Sequence, residues 1–217
     1  YLFKRFFLYL KRRDFKSILY KFFIILTGKN KIDLDKINFD SSTTLDELFL
    51  KFGSDKGKFD GKKTYDNLTL ENNTEFRNYE DWIKRDNPYE FNYQLGHNFT
   101  SIYKKIFKNL KDKRINFLEI GVANGHSIAS WYKYFPNAFI NGIDIKKKDK
   151  LFYKGSRLSY NSLDCLNQKQ VSNFLKKNEK FDVIVDDSSH TPDAFFYNIK
   201  NFYKHLKNGG IYILEDF

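Results

Sequence analysis

Acidic side chains and a histidine follow two apolar segments of the sequence, and each segment has the composition of a buried strand. Asp186 and Asp187 end the segment FDVIVDD, His190 comes three residues later, and Glu215 and Asp216 end the segment GGIYILED. Because the carboxyl ends of parallel strands meet at one edge of a sheet, we expect these side chains to lie above the same crevice. Converging carboxylates oppose one another's ionisation unless a cation lies between them. Oxygen ligands favour Mg²⁺, or Mn²⁺ or Ca²⁺, over Zn²⁺.

His190 is the candidate general base of this acidic region. It precedes Thr191 and Pro192, which are typical of a helix N-cap and a first helical residue. The positive end of that helix and a nearby cation would both favour neutral imidazole, which can accept a proton from a hydroxyl group. In isolation His190 would be interpreted as a capping residue, but two acidic pairs beside it favour the catalytic interpretation.

A glycine-containing turn follows the first strand of the pattern, in the segment LEIGVANG. Gly121 and Gly125 bracket a turn that lets a ligand approach the backbone closely. A dinucleotide fingerprint would need glycines at the positions that Ala123 and His126 occupy, which weakens a nicotinamide interpretation. Glu119, two residues before the first glycine, suits a cationic ligand instead.

Two further carboxylates complete an ordered set of candidate cofactor residues. Asp144 ends the strand AFINGIDI and could accept both hydroxyls of a ribose, and Asp164 in SLDCLN could accept an adenine amino group. Glycine turn, ribose acid and adenine acid in this order resemble the class I S-adenosylmethionine methyltransferases. The resemblance implies a cofactor site formed by Glu119, Gly121, Ala123, Gly125, Asp144, Asp164 and Asp186.

A closer resemblance is carried by four short motifs. VDDSSH and GGIYILED, with FGSDKG and HNFT upstream, resemble the metal-dependent sugar O-methyltransferases that act on macrolide and related glycosides. The likeness runs from about Leu48 to the end, and Ser188 stands where that family usually has glycine. This resemblance implies that a metal ion is bound by Asp187, Glu215 and Asp216, with His190 as the base. It also implies that the upstream segments 53–57 and 97–100 line the cofactor and acceptor pocket. The related cephalosporin-hydroxylase-like proteins share the acidic pattern and remain an alternative.

Thr44 and Glu47 have the spacing of a capping box, which predicts a short helix ending near Gly53. Helical patterns are also predicted over residues 98–111 and 191–207. Strand and helix patterns alternate after Lys111, which predicts a parallel sheet covered on both faces. We therefore predict an α/β fold: a Rossmann-like, doubly wound and mostly parallel sheet of the class I methyltransferase type, truncated after its fifth strand. An N-terminal helical segment precedes it. The predicted divisions are a basic aromatic arm and linker at 1–45, a helical or irregular cap region at 46–110 and the methyltransferase domain at 111–217.

The net charge of +11 is concentrated near the start, where residues 1–30 hold eight basic residues and one acidic residue. The apolar runs there are too short to span a membrane. A basic helix over 1–27 could contact an anionic membrane surface, or pack on the chain's own body or on a partner subunit of a homo-oligomer. Nucleic acid is disfavoured as a partner, because no recognition module accompanies the arm. A single cysteine, Cys165, and no convincing secretory signal favour a cytoplasmic location.

The function predicted from these features is Mg²⁺-assisted transfer of a methyl group from S-adenosylmethionine to a sugar hydroxyl. The acceptor would be a small molecule or a glycan, in the biosynthesis of a glycoside or a surface polysaccharide. The alternatives are a Rossmann protein of the cephalosporin-hydroxylase-like type, whether non-catalytic or of different activity, and a membrane- or partner-binding protein with a degenerate methyltransferase fold.

Overall fold

The computed structural model describes residues 31–58, 96–147 and 151–216. The basic arm 1–27 lies outside the described residues, so its predicted membrane and subunit contacts stay predictions. Within the described ranges the strands are β1 Ile32–Asp33, β2 Asn116–Ile120, β3 Phe139–Asp144, β4 Tyr153–Lys154, β5 Leu158–Ser162, β6 Phe181–Asp186 and β7 Leu206–Leu214. The α-helices in these ranges are α1 Leu45–Phe52, α2 Thr100–Ile106, α3 His126–Tyr134, α4 Gln168–Lys176 and α5 Pro192–Phe202.

Five strands form one parallel sheet in the order β5-β3-β2-β6-β7. The short strands β1 and β4 form a separate parallel pair. Sequence neighbours along a strand point to opposite faces of the sheet. In the central strands these neighbours are both apolar, so the sheet is apolar on both sides. Phe117 and Val183 belong to the core on one face, and Leu118 and Ile184 belong to the core on the other. The predicted doubly wound parallel sheet is confirmed.

The first face is covered by helices α1, α2 and α3 and is rich in aromatic side chains. Trp131 of α3 is completely buried, and its ring packs edge-on against Phe49 of α1 and Tyr103 of α2 at centroid distances of 5.0 and 5.1 Å. Helix α1 begins with the predicted capping box, in which Thr44 and Glu47 satisfy each other's backbone N–H groups. These contacts attach the upstream segments to the sheet.

The second face is covered by helices α4 and α5, which bury Phe174 and Phe202 against it. Here one prediction was wrong: the segment through Lys207 was predicted as helix, but α5 ends at Phe202 and β7 begins at Leu206. Strand β7 pairs with β6 through a register that is irregular near Phe181. Phe181 pairs with Leu206, so β7 includes residues that precede Gly209 and Gly210.

Two upstream loops lie side by side near the carboxyl ends of the central strands. The backbone N–H of Phe99 donates to the carbonyl of Lys56 at 3.0 Å, and that of His97 donates to the carbonyl of Asp55 at 2.7 Å. Residues on both sides of the predicted boundaries at 45/46 and 110/111 share one buried cluster, and the division into three regions stays a prediction. Among the described residues, no helix is long and apolar enough to cross a membrane.

Candidate active site

The carboxyl ends of β6 and β7 bring three of the predicted site residues together. Asp187, His190 and Asp216 each offer one ligand atom, and these atoms lie within 4.8 Å of one another. The Nε2 atom of His190 lies 2.8 Å from Oδ1 of Asp187 and 4.0 Å from Oδ2 of Asp216. Both His190 and Asp216 have a left-handed backbone, with φ values of 54° and 55°. We call these three residues the outer group.

A buried lysine lies on the inner side of the outer group. Lys56 is only 4% exposed, and its Nζ atom lies 2.5 Å from Oδ2 of Asp187. The same ammonium group contacts Oε2 of Glu215 and lies 3.7 Å from Oε1 of Glu119. We call Lys56 and these three carboxylates the inner cluster. Reasoning from residue chemistry did not find Lys56, although it belongs to the motif FGSDKG that carried the family resemblance.

The inner cluster is electrostatically unusual because it is shielded from water. Burial raises the pKa of Glu119 to about 7, although the neighbouring Lys56 opposes the shift. Burial likewise raises the pKa of Glu215, again against the effect of Lys56. For Lys56 itself burial would lower the pKa, but Glu215, Asp187 and Glu119 together raise it well above its ordinary value. The lysine is therefore charged at physiological pH and partly neutralises the three carboxylates.

The donor atoms of the site fit a hard divalent cation. Two carboxylates and one imidazole face each other in the outer group. The Oε1 atom of buried Glu215 has no hydrogen-bond partner among the described residues, as expected of an oxygen that serves a ligand outside the protein. Glu215 lies next to the outer group and does not belong to it, because Lys56 holds its other oxygen. The prediction that Glu215 ligates a metal stays a prediction.

A second histidine, His97, also lies beside Asp216. Its Nδ1 lies 3.7 Å from Oδ1 of Asp216, and its Nε2 lies 3.5 Å from Oδ2 of Asp55. A hydrogen bond with Asp55 raises the pKa of His97. Each carboxylate oxygen of Asp216 therefore has one imidazole near it. This placement agrees with the resemblance, which put the HNFT motif near the cofactor and acceptor pocket.

The glycine turn lies directly beside the outer group. Gly121 has a φ of 88°, and a Cβ atom there would lie 2.0 Å from the carbonyl oxygen of Asp187. Ala123 is also left-handed, and its N–H donates to Oδ2 of Asp144 at 2.7 Å. The structure therefore brings together the predicted cofactor turn, the predicted ribose acid and the loop that carries Asp187.

The remaining predicted cofactor residues lie around this turn. Gly125 precedes α3 with a φ of 88°, and a Cβ atom there would lie 2.3 Å from Leu151. Glu119 accepts a hydrogen bond from the hydroxyl of Ser127 in the first turn of α3, at 2.8 Å. Asp164 follows β5, beside the end of the strand that carries Asp144, since Leu163 donates its N–H to the Asp144 carbonyl.

Both carboxylate oxygens of Asp186 accept hydrogen bonds from side chains of the protein. It is fully buried and accepts hydrogen bonds from Asn198 at 3.2 Å and from Tyr212 at 3.1 Å. Asn198 also donates to the hydroxyl of Ser188 at 3.1 Å. Ser188 is not among the described residues with positive φ, so a serine fits the turn that leads to His190. A cofactor contact by Asp186 stays a prediction.

A five-stranded parallel sheet in this order, with a glycine turn after the first strand and an acid after the second, defines the Rossmann-like fold of class I methyltransferases. The comparisons agree with this class. MycE methyltransferase from the mycinamycin pathway, in complex with Mg, SAH and mycinamycin VI, superposes with a TM-score of 0.58 at 21% identity, over 81% of this chain and 40% of that chain. At this identity the likeness shows the fold.

Sequence comparison names particular relatives, all of them sugar O-methyltransferases. The chain is 30% identical over 127 residues to L-olivosyl-oleandolide 3-O-methyltransferase from Streptomyces antibioticus, which covers 55% of this chain and 32% of that protein. It is 28% identical over 130 residues to mycinamicin VI 2''-O-methyltransferase from Micromonospora griseorubida, covering 55% of this chain and 31% of that protein. The chain thus spans about a third of these relatives. No family model matches it. The predicted resemblance to macrolide-glycoside O-methyltransferases is confirmed.

Proposed function

We propose that this chain carries the cofactor and metal sites of an S-adenosylmethionine-dependent O-methyltransferase that methylates a sugar hydroxyl. One observation supports this proposal above the others. The carbonyl oxygen of Asp187 packs against Gly121, so the glycine turn and the outer group of Asp187, His190 and Asp216 share one crevice. A methyl donor bound at the turn would therefore lie next to an activated hydroxyl bound at the outer group.

On the cofactor side, Asp144 would accept the ribose hydroxyls and Asp164 the adenine amino group. The left-handed turn at Gly121 and Ala123 would lie against the amino acid part of the cofactor. S-adenosylmethionine supplies an electrophilic methyl group on its sulfonium sulfur. Glu119 faces the same turn from the buried side, and its pKa of about 7 leaves it partly ionised near neutral pH.

On the acceptor side, Asp187 and Asp216 would hold a divalent ion, with Glu215 as the third ligand implied by the resemblance. Mg²⁺ at such a site lowers the pKa of a coordinated hydroxyl group. When His190 donates its Nε2 proton to Asp187, its Nδ1 atom is free to accept the proton of the sugar hydroxyl. The hydroxyl oxygen then forms a bond to the methyl carbon while the carbon–sulfur bond breaks toward sulfur. The products are the methyl ether and S-adenosylhomocysteine.

The acceptor class follows from the relatives, whose names describe methylation of sugars attached to antibiotic aglycones. We propose a glycoside hydroxyl as the acceptor, and a sugar unit of a surface polysaccharide as the finer variant to be tested. The competing interpretation is a cephalosporin-hydroxylase-like or degenerate protein that keeps the fold without methyl transfer. Such a protein would bind the cofactor or the ion without forming S-adenosylhomocysteine.

Calorimetric titration of S-adenosylmethionine tests the cofactor site. We expect Asp144→Asn to weaken cofactor binding about tenfold or more, because it removes a charged acceptor for two hydroxyls. Glu179→Gln is the control variant: it removes an exposed carboxylate near the opposite end of the sheet and should leave the affinity for the cofactor unchanged. Failure of the folded wild-type protein to bind the cofactor would contradict the proposed function.

Formation of S-adenosylhomocysteine with a panel of acceptors tests the reaction. The panel should pair deoxysugar glycosides with oligosaccharides from surface polysaccharides, each assayed with Mg²⁺ and with EDTA. Replacing His190 by glutamine should lower the rate about 100-fold or more, as expected for a general base. His205→Gln, just ahead of β7 at the far end of the sheet, is the matched control and should keep the wild-type rate. Turnover that survives His190→Gln would exclude this residue as the base.

A further inference from the structure

The ammonium group of Lys56 is surrounded by carboxylates in the way that a metal ion often is. Three acidic side chains surround its ammonium group, which bonds to Asp187 and Glu215 and lies 3.7 Å from Glu119. The lysine comes from a loop 131 residues before Asp187 in the sequence. That loop is held in place by the backbone bond from Phe99 to the Lys56 carbonyl. A specific tertiary arrangement therefore delivers this cation to the acidic site.

We propose that Lys56 is a tethered competitor of the divalent ion: its ammonium group binds carboxylates that the ion needs and so sets the ion's affinity. This inference rests on the metal site of the proposed function. It goes beyond that function because it assigns a role to a residue that neither the metal nor the methyl transfer requires. Lys56 is a positioning residue in this account, because it acts through the carboxylates that would bind the ion.

The hydrogen bonds of the ligands support direct competition. Oδ2 of Asp187 and Oε2 of Glu215 accept from Lys56, while Oδ1 of Asp187 contacts His190. Of the four carboxylate oxygens of Asp187 and Glu215, this leaves Oε1 of Glu215, which is buried and has no hydrogen-bond partner among the described residues. A divalent ion that uses both Asp187 and Glu215 must therefore share these carboxylates with the ammonium group or displace it.

The charge balance leads to the same conclusion. The inner cluster has three carboxylates and one ammonium group, so its formal charge is −3 + 1 = −2 when all are ionised. A fixed positive charge a few ångströms from a divalent ion repels it. Removing the ammonium group should therefore strengthen ion binding, whereas simple structural damage to the site would weaken it.

Titration of Mn²⁺ alone, with free Mn²⁺ measured by electron paramagnetic resonance, tests the proposal in the absence of cofactor and acceptor. We expect Lys56→Met to bind Mn²⁺ about tenfold or more tightly than wild type. Lys56→Arg keeps the positive charge and should retain the weaker wild-type affinity. Lys104→Met removes a surface lysine that pairs with Asp46, and should leave Mn²⁺ binding unchanged.

Thermal unfolding provides a second measurement on the same proteins. Without metal, Lys56→Met should unfold at a lower temperature, because two buried carboxylates and the partly buried Asp187 lose their cation. Saturating Mn²⁺ should raise its unfolding temperature by more than it raises that of wild type. If Lys56→Met does not fold, the double variant Lys56→Met/Glu119→Gln replaces it, because the second change restores the formal charge of −2 to the inner cluster. This double variant should bind Mn²⁺ more tightly than the single variant Glu119→Gln.

Equal or weaker Mn²⁺ binding by the folded Lys56→Met protein, or by the double variant relative to Glu119→Gln, would overturn the proposal. Absence of Mn²⁺ binding from every one of these proteins would overturn it as well, together with metal assistance in the proposed function. Cofactor titration separates the two conclusions, since the residues proposed to bind S-adenosylmethionine include neither Lys56 nor the outer group. Tighter Mn²⁺ binding by a protein that fails to bind cofactor would support the competitor and contradict the methyltransferase.

Discussion

Glu119 should make the stability of this protein fall as the pH rises toward neutrality, and Glu119→Gln should remove that effect. The side chain is completely buried, and burial raises its pKa from 4.5 to about 7. In the unfolded chain the same carboxyl group titrates near its ordinary pKa. Between these two values the folded protein binds more protons than the unfolded chain, so the free energy of unfolding decreases with pH. Glutamine does not titrate and has nearly the same shape.

The size of the effect follows from the pKa difference. A shift from 4.5 to about 7, at about 1.36 kcal/mol per unit, corresponds to about 3 kcal/mol of stability that is present below the unfolded pKa and lost above the folded one. Lys56 stays charged across this range because its neighbours raise its pKa well above 10.5. Ser127 can donate its hydroxyl to the amide oxygen of glutamine as it does to the carboxylate.

Urea denaturation of wild type and Glu119→Gln at about pH 5 and about pH 8, in EDTA and without cofactor, measures the difference. Because a pH of about 5 already lies slightly above the unfolded pKa, we expect the free energy of unfolding of wild type to decrease by about 2 to 3 kcal/mol more than that of the variant between the two conditions. The raised pKa values of Asp186 and Glu215 affect both proteins and largely cancel in the comparison. Glu179→Gln, at an exposed position, should track wild type. A difference that stays constant with pH would refute the reasoning.

Two further predictions concern the backbone around the site and the first helix. Gly121→Ala should lower the free energy of unfolding by about 3 kcal/mol or more in thermal unfolding, because the new Cβ would lie 2.0 Å from the Asp187 carbonyl oxygen. The control Gly209→Ala, at a φ of 76° with open space around it, should lower it by about 1 kcal/mol. Equal losses would show that the contact is unimportant. Thr44→Ala should cost about 1 kcal/mol in urea denaturation by removing the capping box, and Thr43→Ala, which leaves that box intact, should be nearly neutral. A Thr43 loss as large as that of Thr44 would contradict the capping argument.

The central strands were predictable because their signal is local. Val183, Ile184 and Val185 form a continuous apolar run, and all three are completely buried, as expected for a parallel strand covered on both faces. The edge strand β5 had no such signal. Its sequence LSYNS is mostly polar, and only Tyr160 is buried, so the segment could not be recognised as a strand from the sequence. Its position is determined by pairing with β3.

Helix boundaries were predictable where capping chemistry marks them. Thr44, Glu47 and Gly53 predicted both ends of α1, and the structure has the capping box and a left-handed glycine at those positions. Helix α2 was predicted over residues 98–111 but ends at Ile106. The apolar side chains at Phe107 and Leu110 continue the helical spacing, but they belong to turns that lead the chain back toward β2. Periodicity alone did not distinguish these turns from helix.

Convergence of acids at the strand ends was predictable from topology, but the identity of the cation beside them was not. The crowded carboxylates predict a compensating positive charge, and their oxygen ligands predict that this charge is a divalent metal. This second prediction omitted the alternative that a lysine from a distant loop supplies part of the charge. Nothing in the local pattern around Asp187 or Glu215 refers to Lys56, and only its membership of FGSDKG gave a signal.

The same acids can therefore serve two cations, and the geometry indicates how they are divided. Lys56 reaches Asp187 and Glu215 from the buried side, whereas His190 and Asp216 of the outer group are exposed. A covalently tethered cation on the buried side keeps these carboxylates ordered before any ion arrives. The same tether lowers the affinity of the site for the ion. A site that combines these two properties is preformed but binds its metal reversibly, and the Mn²⁺ affinities of the Lys56 variants measure the balance between them.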